Sequence, residues 1–296
     1  MTETNLNQFT SARPKASGGS YILRAMTRRT VTVAGAVVIL ALILVAILAP
    51  FIAPYGMNQQ DLAHALEQPS AAHWLGTDEL GRDQLTRVIY GSQVSLLVGI
   101  VGVTIAGAIG MSLGLIAGFM GGWVNTVIMR IIDALLSLPP LVLMLSITAI
   151  LGSGLLNVLV ALGIGMMPTY CRLMCGQVIS VREGDFITAA RAMGARDRHI
   201  MTKHILPNTF PPLLVLVTVN LGSAIMMEAS LSFLGIGILP PTASWGAMVN
   251  NGYRFMLTNP LLSIAPGVAI LLVVLAFNMF GDGLRDALDP RLRGLL

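Results

Sequence analysis

Residues able to do covalent or metal chemistry are few in this chain, and their spacing works against most such chemistry. The two cysteines, Cys171 and Cys175, are four apart. On a helix that puts both thiols on one face a turn apart, where they cannot close a disulfide on each other. No histidine or second cysteine pair lies near them in sequence, so two reduced, packed thiols are expected rather than a metal pair. The histidines are His64, His73, His199 and His204, and the last two are five apart, off register for one metal on one helix face. The lysines are Lys15 and Lys203, and neither follows a Gly-rich loop, so the chain has no Walker-type phosphate site. Neither a His-Glu-x-x-His nor a Gly-x-Ser-x-Gly run occurs. Asp78 and Asp83 are close in sequence, but in a polar, Gly-bearing stretch that organises a loop more readily than it catalyses. No enzymatic step is expected of this chain, and no metal site.

Two carboxylates stand out because their surroundings are apolar. Asp133 follows Arg130 by three residues, so the two share a helix face and are expected to pair. Glu228 lies towards the outer end of another apolar run. A carboxylate inside a membrane is a functional-site candidate, although at a helix end it can also simply reach the interface.

The elements that must position these residues are membrane helices. Of 296 residues, 55% are hydrophobic and 11% charged, whereas a soluble domain carries roughly a quarter charged residues. Six runs approach the length of about 20 residues that a span needs. They are 31–53, 94–119, 131–151 (interrupted by Pro139-Pro140), 155–170, 211–228 and 261–280. An even number of spans puts both termini on one side. Of the 18 basic residues, only Arg82, Arg87 and Arg254 then fall in outside segments. The positive-inside rule therefore places both termini in the cytoplasm and accounts for the net charge of +4 without nucleic acid. The layout is a cytoplasmic tail at 1–30, a first span at 31–53, an extracytoplasmic loop at 54–93 and a five-span core at 94–280. That core contains a large basic cytoplasmic loop at 171–210, and a cytoplasmic tail follows at 281–296.

Gly102, Ala106, Gly110, Gly114 and Gly118 recur every four residues along the second span. Small residues at that spacing let two helix backbones approach closely, either within the subunit or across to a partner. The basic loop reads as a short helix, a break at Gly194, a second short helix capped by Asp197 and a stop at Pro207. Ala189 and Ala190 make the first of these helices slim enough to sit in a groove.

This loop resembles the coupling loop of ABC importer permeases, whose pattern is Glu-Ala-Ala, three residues, Gly, nine residues, Ile-x-Leu-Pro. Ala189, Ala190, Gly194, Leu206 and Pro207 fall in register, followed by Asn208, while Thr188 replaces the Glu and His204 the Ile. The His-Ile-Leu-Pro-Asn ending is similar to that of the peptide and nickel branch. So is the run from Leu75 through Gly76, Thr77, Asp78, Gly81, Arg82 and Asp83, although Gln93 stands where that branch often has Arg. Glu228 to Gly235, Pro240-Pro241, Trp245-Gly246 and the ending from Asn278 to Pro290 resemble the same branch.

The resemblance implies an all-α, type I importer permease with six transmembrane helices in a bacterial inner membrane. It implies a sister permease subunit, two ATPase subunits that bind the ATP, and an extracytoplasmic solute-binding protein. Short peptides are the implied cargo, with nickel or glutathione-like cargo as alternatives. The segment Thr188, Ala189, Ala190, Gly194, Ala195, His204, Leu206 and Pro207 would dock on an ATPase. Asn220, Met226, Met227 and Glu228 are candidates to line the pathway, with ordinary packing the alternative for the methionines. A secondary transporter or channel could also use a span broken at Pro139-Pro140, but it would have no use for a docking loop.

Overall fold

In the computed structural model, residues 26, 27 and 29–288 are described. The tails at 1–25 and 289–296, which hold Arg13, Lys15, Arg24, Asp289, Pro290, Arg291 and Arg293, lie outside the described residues, as does Arg28. The helices are α1 (Thr30–Ile52), α2 (Gln84–Met120), α3 (Gly122–Leu136), α4 (Pro140–Leu151) and α5 (Leu155–Arg182). They continue as α6 (Asp185–Ala192), α7 (Asp197–Phe233), α8 (Trp245–Tyr253) and α9 (Leu261–Leu288). Among the described residues, five helices are long and apolar enough to cross a membrane, and α3 with α4 makes a sixth span bent by 89°. The bend falls at Pro139-Pro140. Pro140 opens α4 without needing an N–H partner, and it pushes Pro139 into extended backbone.

The α2–α5 contact is the densest in the bundle, and it answers the question the small-residue stripe left open. A Cβ on Gly110 would lie 2.5 Å from the Met167 carbonyl oxygen, and one on Gly118 would lie 2.8 Å from Val178 Cβ. Gly102 faces Leu162, and Gly114 faces Cys171 and Met174. The stripe packs α2 on α5 inside this chain. Cys171 and Cys175 are free and buried in the same seam. By contrast α1 stands at the edge of the bundle, showing Val37, Leu40, Leu44 and Ile47 outward while Gly35 and Thr32 fit against α9.

Several helices run further than hydropathy predicts. α2 starts at Gln84, three turns before the apolar run, because its polar residues find partners within the fold. Gln84 Nε2 donates to the Leu262 carbonyl at 2.7 Å, and Gln93 Nε2 to the Ala46 carbonyl at 2.8 Å. α5 continues to Arg182, whose Nη1 donates to the carbonyls of Gly118 (3.2 Å) and Phe119 (2.8 Å) at the end of α2. α7 begins at Asp197 and does not stop at Pro207. A π-helical stretch over Ile200–Ile205 widens the turn ahead of the proline, and Asn208 Nδ2 donates to the His204 carbonyl at 2.6 Å. Asp197 is the first residue of the helix, and its side chain caps nothing.

The stretch 229–260 that follows the fifth apolar run is not a simple surface loop. α8 wedges between α7 and α9, with Trp245 and Met248 buried against Leu96, Ile225, Val273 and Phe277. Trp245 Nε1 donates to the Val88 carbonyl at 2.9 Å. Gly91 makes room for that indole, since a Cβ there would lie 2.6 Å from it.

Candidate functional site

The hairpin of the basic loop is built from α6, the turn after it and the start of α7. α6 ends because Gly194 adopts φ +84°, a left-handed conformation that costs other residues about 1–2 kcal/mol. The reversal is closed by Gly194 N–H to the Arg191 carbonyl (2.9 Å) and Ala195 N–H to the Ala190 carbonyl (3.0 Å). This pair of bonds is the Schellman arrangement. The helix is pinned from beneath. Ile187 is buried with Met174, Val178, Ile200, Ile205 and Leu213, so it joins the inner ends of α5 and α7. Burying one such side chain is worth about 1.5–3 kcal/mol, enough to make the hairpin move with the two long helices rather than independently of them.

The predicted docking residues divide between two environments. Thr188, Ala189 and Gly194 are exposed on the hairpin. Ala190 is buried beneath it, at 4% exposure, so it sets how closely α6 approaches the bundle rather than standing on the hairpin's exposed surface. Ala195 and His204 are half-buried, His204 beside the His199 ring at 5.6 Å between centroids. Leu206 and Pro207 are exposed on α7. Sequence reasoning missed the two largest apolar groups on the hairpin surface, Phe186 (49% exposed) and Met193 (81%). Their signal was present: apolar residues near either end of a short helix that has too few partners to bury them.

On the opposite end, Gly76 to Asp83 form a polar knot. Asp78 Oδ1 accepts from the Leu80 and Arg82 N–H groups (2.9 and 3.0 Å), and Oδ2 accepts from Arg82 Nε at 2.6 Å. Arg87 Nε stands 3.7 Å from the same oxygen. Asp83 caps α2 through the Thr86 N–H (2.7 Å) and holds His73 Nδ1 at 3.0 Å. Thr77 Oγ1 accepts from the Glu67 N–H at 2.8 Å and donates to the His64 carbonyl. Nearby, on the loop surface, a hydrogen bond from His64 holds the Asp61 carboxyl below its usual range, and the same bond holds the imidazole above its own. Gly76 and Gly81 have φ of +75° and +71°, and a Cβ on Gly81 would overlap the Asp61 carbonyl. Gly76, Thr77, Asp78, Gly81, Arg82 and Asp83 are all buried and shape the loop. The knot is tied to the 229–260 stretch, where Gln68 Nε2 donates to the Thr258 carbonyl at 2.8 Å. Gly81→Ala is expected to expose this loop, raising its rate of limited proteolysis at least tenfold in membranes, whereas Gly267→Ala, with open space around the new methyl, leaves that rate unchanged.

The four pathway candidates do not share one wall, because consecutive helical residues point about 100° apart. Met226 is exposed and Asn220 half-buried. Met227 packs into the α2–α5 core. Glu228 is fully buried and does not reach an interface. Its Oε1 accepts from Ser232 Oγ (2.7 Å) and Ser244 Oγ (2.9 Å), so it ties α7 to the lead-in of α8. The expected Arg130–Asp133 pair is replaced by one between Asp133 and Arg172 of α5. No cluster of metal-ligating side chains forms among the described residues.

Comparison with known proteins agrees with this geometry. Residues 110–294 match the family described as binding-protein-dependent transport system inner membrane component, and residues 19–69 match the N-terminal transmembrane domain of oligopeptide transport permease C. The chain is 44% identical over 293 residues to the probable D,D-dipeptide transport system permease protein DdpC of Escherichia coli, covering 98% of each chain. It is 41% identical to the dipeptide transport system permease protein DppC of Alkalihalophilus pseudofirmus, over 97% of this chain and 93% of that one. It is 44% identical to the glutathione transport system permease protein GsiD of Pectobacterium atrosepticum, over 91% and 90%. A solved inward-facing structure of the MetNI methionine ABC transporter shares the fold, with a TM-score of 0.56 at 20% identity over 69% of this chain and 96% of that one. The six-span helical bundle, its basic hairpin and these matches along nearly the whole chain agree: the protein belongs to the family of inner-membrane permease components of binding-protein-dependent ABC transport systems.

Proposed function

We propose that this chain forms half of the pathway of an ATP-driven importer of short peptides, beside a related sister permease. Two ATPase subunits bind ATP beneath it, and a solute-binding protein delivers cargo from above. The observation that carries this reading is the hairpin. A basic, exposed surface with two apolar knobs is anchored through Ile187 to the ends of both α5 and α7. An ATPase groove that took Phe186 and Met193 would move those two helices as it closed, biasing the bundle between inward- and outward-facing states. Peptide cargo is supported by the dipeptide, D,D-dipeptide and glutathione transport named for the relatives. The Arg29–Asp286 ion pair at the start of α1 and the end of α9 supports a common side for both termini, and the excess of basic residues there favours the cytoplasmic one. Neither Glu228 nor Met227 belongs to the pathway in this reading, and Met226 and Asn220 remain on its wall.

The test is purification of the tagged permease from its host in mild detergent. ATPase chains and a second permease are expected to co-purify, and the complex in liposomes is expected to import a dipeptide only with binding protein and ATP. Import by this polypeptide alone would overturn the proposal.

A further inference from the structure

The Asp133–Arg172 pair sits where a charge should not be. α5 has 28 residues and rises about 42 Å, longer than a hydrocarbon core of about 30 Å. Arg172 is ten residues before the Arg182 end, so it stands about 15 Å from that end and roughly 9 Å inside a centred apolar slab. α3 climbs along α5 from the same end. Gly121 lies beside the Arg182 guanidinium, Asn125 Nδ2 donates to Cys175 Sγ at 3.1 Å, and Asp133 then meets Arg172. Yet the two charged side chains are 49% and 56% exposed.

The exposed face of α5 around them carries Ile179 but is otherwise polar or small. Thr169, Arg172, Gly176 and Ser180 are exposed and spaced three or four apart, so they form one stripe along α5. A Cβ on Gly176 would meet nothing within 4 Å. The outward faces of α1 and α9 differ: Val37, Leu40, Ile47, Val268, Leu271 and Leu275 are what lipid selects. Ionised groups at membrane depth face water or protein rather than acyl chains.

We propose that the α5 stripe lines the water-filled translocation pathway and that Asp133 and Arg172 are its charged contact for cargo. This rests on the importer reading above. A short peptide carries an ammonium at one end and a carboxylate at the other. The planar fork of Arg172 suits the carboxylate, and Asp133 suits the ammonium. Between cargoes the two side chains neutralise each other. Exchanging that pair for two pairs with the peptide leaves no charge of the chain or the cargo unpaired along the pathway.

The test begins with Thr169→Cys and Gly176→Cys in a background with Cys171→Ala and Cys175→Ala, in open membrane sheets holding the assembled complex. Both thiols are expected to react with the membrane-impermeant anionic reagent sulfonatoethyl methanethiosulfonate at least tenfold faster than Leu271→Cys on the lipid face. Equal or slower reaction at both positions, with or without ATP, would mean lipid or a dry subunit contact covers the stripe, and the proposal would fall. The second arm is the double variant Asp133→Leu with Arg172→Met, which keeps bulk and removes both charges. Its maximal dipeptide uptake is expected to drop at least tenfold while ATPase chains still co-purify. Uptake at the wild-type rate would overturn the cargo contact. If wild-type complexes hold no ATPase chains, the importer reading fails instead, and the labelling arm still decides whether the stripe meets water.

Discussion

Gly110→Leu is expected to abolish accumulation of folded permease, lowering it more than tenfold at equal transcript level, as read by fluorescence-detected size exclusion of a tagged chain. The added Cβ would stand 2.5 Å from the Met167 carbonyl oxygen and 2.7 Å from Tyr170 Cβ. Neither is the movable end of a flexible side chain, so the two helices must separate. Separation would strip contacts from the whole seam, because Gly102, Gly114 and Gly118 lie on the same line. Overpacking in a tight core ordinarily costs about 1–3 kcal/mol, and a backbone clash repeated down a helix pair exceeds that. Gly267→Ala on α9 is the control. The new methyl meets open space, and the helix gains roughly 1 kcal/mol of propensity. Normal accumulation of Gly110→Leu would mean that α2 does not pack on α5 as described.

The second large effect concerns the hairpin. Phe186→Ala combined with Met193→Asp is expected to cut peptide uptake and ATPase co-purification by more than tenfold while leaving membrane insertion and accumulation intact. Both side chains project outward, and Met193 is 81% exposed, so neither supports the bundle. An apolar anchor in a protein groove is worth about 2 kcal/mol, or roughly 30-fold in affinity. Gly194→Trp tests the same surface differently: it forces an L residue into φ +84° and places a ring where the groove wall would be. Ile187→Asp belongs to another class, since it buries a charge among Met174, Val178 and Leu213 and is expected to lower accumulation as well. Uptake at wild-type levels in both surface variants would remove the hairpin from the coupling route.

How much of this was legible beforehand depended on whether a property is local. The break at Gly194 was readable because left-handed backbone selects glycine on the spot. The bend at Pro139-Pro140 was readable for the same kind of reason. Helix ends were read less well. Apolar windows stop at Val94 and Tyr170, whereas α2 begins at Gln84 and α5 ends at Arg182. The added turns are polar residues whose partners, Leu262, Ala46 and the last carbonyls of α2, are distant in sequence. The stop expected at Pro207 was lost to a widened π turn.

By itself the sequence determined that lipid is the solvent, roughly where the apolar spans lie and where a hairpin would interrupt them. Each of those follows from composition or charge summed over a short stretch of chain. Tertiary structure alone decided which partner each singular residue meets. It turned the glycine stripe towards α5, gave Asp133 to Arg172 rather than to Arg130, and enclosed Glu228 between Ser232 and Ser244. Those choices are made by backbone approach and side-chain direction across helices far apart in the chain, and no local sum of hydropathy or charge contains that information.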